Sequence, residues 1–174
     1  MPEEEKTIKD FEQLTGLLKK KEICKRTVVV WPEEDHTQEA ILQATHEGFI
    51  SPILVCSERT KKIFADREAL QAVTAENPEE ASRIAVKIIR EQKADIIMKG
   101  FVNTDVLLRA ILDKEHGILP RGAVLTHITV TKIPEYPKLL FFTDAAVIPY
   151  PTEEQRKAQI KYVIDFCHAF NIDC

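Results

Sequence analysis

Glycine is scarce in this 174-residue chain, five residues in all, and none belongs to a glycine-rich phosphate loop. The scarcity argues against collagen-like and low-complexity classes. No apolar run approaches membrane-spanning length, and the start MPEEEK is acidic rather than a basic region leading into an apolar core. The four cysteines, Cys24, Cys56, Cys167 and Cys174, include no C-x-x-C pair. A cytoplasmic protein with no membrane partner and no metal is therefore expected. Basic excess is missing too: the formal charge is -4, so there is no electrostatic footprint for nucleic acid. No serine or cysteine stands in a turn of the G-x-S-x-G type, which sets a covalent hydrolase aside. There is no repeat and no linker, so residues 1–174 are expected to form a single α/β unit.

What is present is a well-filled globular composition, 44% hydrophobic and 30% charged. The organising stretch runs from Lys93 to Gly117 and reads as strand, sharp turn and helix. Asp95 to Met98 is almost wholly apolar, as in a strand covered on both faces. Lys99 and Gly100 end it, Gly100 allowing a close backbone approach, and Asn103 or Thr104 can cap the helix that follows. A helix N-terminus opening beyond a strand's carboxyl end is an anion site in many α/β sheets, and Lys99 adds a full positive charge there. In that helix only Asp105, Arg109 and Asp113 interrupt the apolar residues, which predicts a buried helix with one polar stripe and Arg109 as its cation. The plainer readings are a solvated lysine, a capping threonine and an arginine paired with an aspartate four residues away.

Around this stretch the chain alternates. Thr7 to Lys21 has helical spacing; Thr27 to Trp31 and Ile53 to Cys56 are apolar strands, with Cys56 a buried structural thiol. Asp35 is a candidate cap for a helix stopping at Gly48, Arg59 to Ala65 reads as a helix, and Leu70 to Thr74 as a weaker strand. Asn77-Pro78-Glu79-Glu80 is a helix start. The fold class that follows is α/β: a three-layer αβα arrangement with a mostly parallel sheet. Val124 to Ile133 and Lys138 to Thr143 then read as an antiparallel hairpin added to that sheet. Thr152 opens a last helix with Ile160, Val163, Ile164, Cys167 and Phe170 on its apolar side. The basic run at Lys25 and Arg26 reads as a solvated helix end.

Further donors and acceptors cluster in the loops. Asn103 and Arg121 suit phosphate oxygens, and Thr143-Asp144-Ala145-Ala146 places a carboxylate beside small residues at a strand end. As plain loop residues, Arg121 is a surface arginine and Asp144 a turn residue. His116, His127 and Asp144 form an imaginable relay without a nucleophile. Glu33, Glu34, Asp35 and His36 read as a solvated loop more readily than as a cation site.

The segments ADIIMKGFVNTDVLLRAILDKEHG, LTHITV, LLFFTDAAV and FCHAF, with WPEEDHTQEAILQATHEGFISPILV before them, resemble the phosphate acetyl/butyryltransferase family, its butyryltransferase branch most of all. The resemblance runs from about Val28 onward. It implies a fold similar to the isocitrate and isopropylmalate dehydrogenases, a homo-oligomer of dimer size or larger, and reversible acyl transfer. In that reaction acyl-CoA and phosphate give acyl phosphate and CoA, both as substrates, with no resident cofactor. By motif position it implies that Lys99, Gly100, Thr104, Arg109, Thr126 and Asp144 face substrate, CoA or phosphate. Leu119-Pro120-Arg121-Gly122 departs from the family's more basic loop. Family chains are longer, and the serine, arginine and aspartate expected to do the chemistry lie in their later part, for which this sequence has no matching positions. It thus resembles the N-terminal portion of such an enzyme, as a truncated product or one piece of a split protein. The alternatives are a non-catalytic fragment that folds and self-associates, and an acyl-carrier-protein-linked phosphate acyltransferase of the same fold.

Overall fold

The computed structural model describes residues 8–66, 70–170 and 172. The predicted helix start at Thr7, and Cys174, lie outside them. Where the sequence suggests one unit, the chain divides into two compact ones: Lys19–Leu119, and Met1–Leu18 together with Pro120–Cys174.

The first unit is an αβα sandwich. Its strands β1 (Lys25–Val30), β2 (Ile50–Cys56), β3 (Gln71–Thr74) and β4 (Ile96–Lys99) form one parallel sheet in the order β3-β2-β1-β4. Side chains of a strand alternate between faces, and in β1 both faces are buried. Val28 and Val30 enter one core with Val55, Ala81, Ala85 and Leu107, while Val29 enters the other with Ile41, Leu54, Cys56 and Phe64. Three consecutive valines are thus fully buried, each worth about 1.5–3 kcal/mol of transfer free energy. Helices α2 (Asp35–His46) and α3 (Glu58–Ile63) belong to the Val29 side, α4 (Pro78–Arg90) and α5 (Thr104–Ile111) to the other.

Local signals set most boundaries. Asn77 accepts the N–H of Glu80 at 2.9 Å, and Glu80 reaches back to the N–H of Glu76 at 2.7 Å, which fixes the start of α4. Gly48 takes φ +78°, the left-handed turn that ends α2. Asp35 proves to be the first helical residue of α2 rather than its cap; Glu34 holds the cap position without a side-chain bond. Arg26 is not a solvated helix end. It lies in β1, and its Nε and Nη2 donate to Asp95 at 3.0 and 2.7 Å, clasping β1 to the start of β4.

Two expectations for the organising stretch give way. Strand β4 stands at the sheet edge, flanked by β1 alone, and it is not covered on both faces, since none of its residues is buried and Ile96 is 44% exposed. Helix α5 is not buried all round: Leu107 alone is buried, because one side of the helix packs on the core while Leu112 faces outward. The helix stops at Ile111, since Asp113 Oδ1 accepts the N–H groups of Glu115 and His116 at 2.9 and 2.7 Å and turns the chain.

In the second unit, Asp10 caps α1 (Phe11–Lys20) by accepting the N–H of Gln13 at 2.9 Å, so the helix begins later than predicted. Strands β5 (Thr129–Thr131) and β6 (Leu140–Phe142) pair antiparallel as a separate two-stranded sheet, not as an addition to the parallel one. Just before β5 the N–H of His127 goes to the side chain of Asp144. Helix α6 (Glu153–Ala169) opens with the predicted capping box between Thr152 and Gln155. Of the predicted inward stripe Cys167 and Phe170 turn inward, whereas Ile160 and Ile164 are exposed. Gln159 and Cys167 are buried and Phe166 stacks between Phe141 and Phe170, whereas Ile160 is 54% exposed.

Candidate anion-binding site

The order β3-β2-β1-β4 places a topological switch between β1 and β4, since the chain leaves β1 on one side and returns on the other. Ligands of open α/β sheets bind outside the carboxyl ends of strands at such a point. Here Gly100 N–H donates to Val30 O at 2.9 Å and Phe101 N–H to Trp31 O at 2.8 Å. The backbones are so close that a Cβ on Gly100 would lie 2.7 Å from both carbonyl oxygens, and Trp31 itself adopts φ +56°. Glycine is required by this approach, as the sequence suggests.

Lys99 is exposed at the end of β4. Its Nζ donates to Gly100 O at 3.2 Å and Val102 O at 3.0 Å, which holds the ammonium over the turn and leaves one of its three donors for another acceptor. Asn103 occupies the cap position of α5 but makes no side-chain cap bond, and Thr104 is the first, exposed, helical residue. The N–H groups of Val106 and Leu107 go to Asn103 O, so the donors of Thr104 and Asp105 are those left at the helix mouth. A cation, open N–H donors and the positive end of the helix dipole therefore converge within six residues, Lys99 to Thr104.

Neighbouring polar groups at the strand ends are already engaged. Glu33 accepts Ser57 N–H and Oγ, both at 2.8 Å, and Thr60 Oγ1 at 2.7 Å, tying the end of β1 to the start of α3. Glu34 pairs with His36. Among the described residues no group of three or more metal-ligating side chains comes together. Burial beside Glu33 and Glu58 pushes the Cys56 thiol up to about 11, as befits an unreactive core residue.

Arg109 is placed elsewhere than Lys99. It pairs with Asp105 on its own helix, and it lines a cleft of about 870 Å³ between α4 and α5. Lys99, Gly100 and Thr104 are not part of that cleft's wall. Arg83, Lys87 and Arg90 of α4 are, and the sequence pattern did not single them out, although their spacing puts them on one polar face.

In the second unit Thr126 and Asp144 are brought together. Thr126 Oγ1 donates to Asp144 Oδ2 at 2.7 Å, His127 N–H to the same oxygen at 3.0 Å, and the N–H groups of Ala146 and Val147 to Oδ1 at 2.9 and 2.8 Å. Burial raises the carboxyl's pKa, but the Val147 N–H, the Thr126 hydroxyl and the other two N–H donors outweigh it and hold Asp144 well below the usual carboxylate range. Such a carboxylate stays ionised and organises the loop. The relay imagined from sequence does not form: His127 meets Asp144 through its backbone, while its ring faces Thr129 Oγ1 at 3.3 Å, and His116 lies beside Asp113. Arg121 is exposed.

The family pattern of the phosphate acetyl/butaryl transferases matches residues 71–173, more than half of the chain and most of the site just described. The chain belongs to that family. The phosphate butyryltransferase of Clostridium beijerinckii is 33% identical over 170 residues, covering 95% of this chain and 56% of that protein. The phosphate acetyltransferase of Rickettsia typhi is 29% identical over 153 residues, covering 85% of this chain and 44% of the relative. This chain thus spans about half the length of the curated relatives it matches. A crystal structure of a branched-chain phosphotransacylase from Enterococcus faecalis V583 superimposes with a TM-score of 0.69 at 19% identity, over 82% of this chain and 51% of that one. At that identity the likeness concerns the fold, and it agrees with the mixed α/β architecture of the present chain.

Proposed function

We propose that this chain serves phosphate acyl transfer of the butyryl type, interconverting acyl-CoA plus phosphate and acyl phosphate plus CoA. Membership of the phosphate acetyl/butaryl transferase family is the observation that carries the reading. The reaction needs a place for a phosphate dianion and donors for the oxyanion of a tetrahedral centre. The Lys99–Thr104 turn supports the first need: Lys99 offers an unused ammonium donor, and Gly100 lets the turn sit tightly against β1. In this reading Thr104 and the open helix mouth take a phosphate oxygen. Arg109 pairs with a phosphate group in place of Asp105, and Thr126 with Asp144 is a substrate-contacting clamp of the second unit taken by itself.

The test is release of CoA from butyryl-CoA in phosphate buffer, followed with a thiol reagent. Release that saturates with both substrates and vanishes without phosphate is expected; no release above the protein-free blank overturns the reading in favour of a non-catalytic fragment. A parallel reaction with a butyryl thioester of acyl carrier protein separates the two possible carriers, CoA being expected to react faster.

A further inference from the structure

We propose that Trp31 and Phe101 form an aromatic lip beside the Lys99–Thr104 turn, which holds the hydrocarbon chain of an acyl group and sets the preferred chain length. Alternation along β1 sends Val28 and Val30 to one face of the sheet and Val29 to the other, so Trp31 is due on the Val29 side. It is found on the opposite one. Its side chain packs against the cluster that holds Val30, Val102 and Leu107. The reversal accompanies a φ of +56°, a backbone state that bulky residues rarely adopt. Three backbone bonds hold it there: Trp31 N–H donates to Val55 O at 2.8 Å, while Trp31 O accepts the N–H groups of Glu33 at 3.0 Å and Phe101 at 2.8 Å. Strained residues fixed this firmly by their surroundings cluster at functional sites.

The result is aromatic surface at the carboxyl end of β1, on the α5 side of the sheet. Trp31 is only half-buried, so part of its ring stays open. Phe101, in the turn itself, is 60% exposed. In an acyl phosphate the hydrocarbon chain begins one carbonyl away from the phosphate. A phosphate held by Lys99 and the mouth of α5 therefore brings that chain to the residues whose backbones meet at the turn, and Trp31 and Phe101 are bonded to each other there. Each further methylene laid on the two rings leaves water, and the gain grows with the apolar area covered.

The proposal rests on the acyl-transfer reading of the turn and adds to it the groups that sense chain length. Its test uses methylphosphonate and butylphosphonate, which carry no acyl group to transfer, beside inorganic phosphate. Trp31 is the only tryptophan of the chain, so its emission reports the lip directly. Butylphosphonate is expected to shift that emission to shorter wavelength and inorganic phosphate to leave it in place. By calorimetric titration butylphosphonate should bind about tenfold more tightly than methylphosphonate, less than three fully buried methylenes would give, because the lip is open on one side. In Phe101→Ser, and in Trp31→Asn, where asparagine tolerates the positive φ, that preference should shrink to about twofold or less while inorganic phosphate binds as in the parent. Lys99→Gln should weaken all three probes and keep the preference. Phe101→Ser changes an exposed side chain, is expected to melt like the parent, and carries the test by itself where Trp31→Asn is unstable. No preference in the parent, or a preference unchanged in Phe101→Ser, overturns the lip and leaves phosphate at the turn standing; no binding of any probe overturns lip and turn together.

Discussion

At the scale of single residues, Gly100 and Asp144 carry the sharpest consequences. Gly100 touches the carbonyls of Val30 and Trp31 so closely that even one methyl group forces β1 and β4 apart. Gly100→Ala should cost about 1–3 kcal/mol by analogy with overpacked cores, read as a lower urea midpoint. Asp144 has its pKa lowered on folding, so its contribution is present above the unfolded value near ~4 and is lost as pH falls through the folded one. Asp144→Asn, which sets an amide against N–H donors, should destabilise by about 1–2 kcal/mol at neutral pH, and the gap between parent and variant should narrow below about pH 4. A gap independent of pH would show that the charge is not what the surrounding donors hold. Asp95 is also lowered, first by its bond to Arg26, so acid weakens that clasp in the same direction.

At the scale of elements, the helix starts were the most legible features. Asn77-Pro78-Glu79-Glu80 and Thr152-Glu153-Glu154-Gln155 are local patterns, and both caps form. Thr152→Ala should lower stability by about 1 kcal/mol, measured by thermal unfolding, unless α6 is fixed by its aromatic packing alone. Long-range partners were not legible. Nothing near Arg26 in sequence announces Asp95, 69 residues away, and nothing near His127 announces that its N–H will meet Asp144. The composition of α5 suggested burial on every side, but burial depends on what packs against a helix, and only Leu107 is fully enclosed. Likewise the apolar run Ile96 to Met98 could not reveal that β4 stands at an edge. For the site, the glycine and the strand-turn-helix order were visible, while the cleft formed by Arg83 and Arg90 was not, since it takes two helices to make it.

At the scale of the molecule, the account rests on the turn where β4 passes into α5, at the switch between β1 and β4. Among the described residues no helix is long and apolar enough to cross a membrane. The turn offers a cation, open backbone donors and a helix mouth in one place, and the proposed function is what assigns them a phosphate-bearing substrate. The most direct measurement is calorimetric titration of CoA and of phosphate into the parent chain and into Lys99→Gln, which keeps a donor for the carbonyls of Gly100 and Val102 but removes the charge. A loss of at least tenfold in affinity with unchanged circular dichroism is the predicted result; equal affinities in the two proteins would contradict the placement of substrate at this turn.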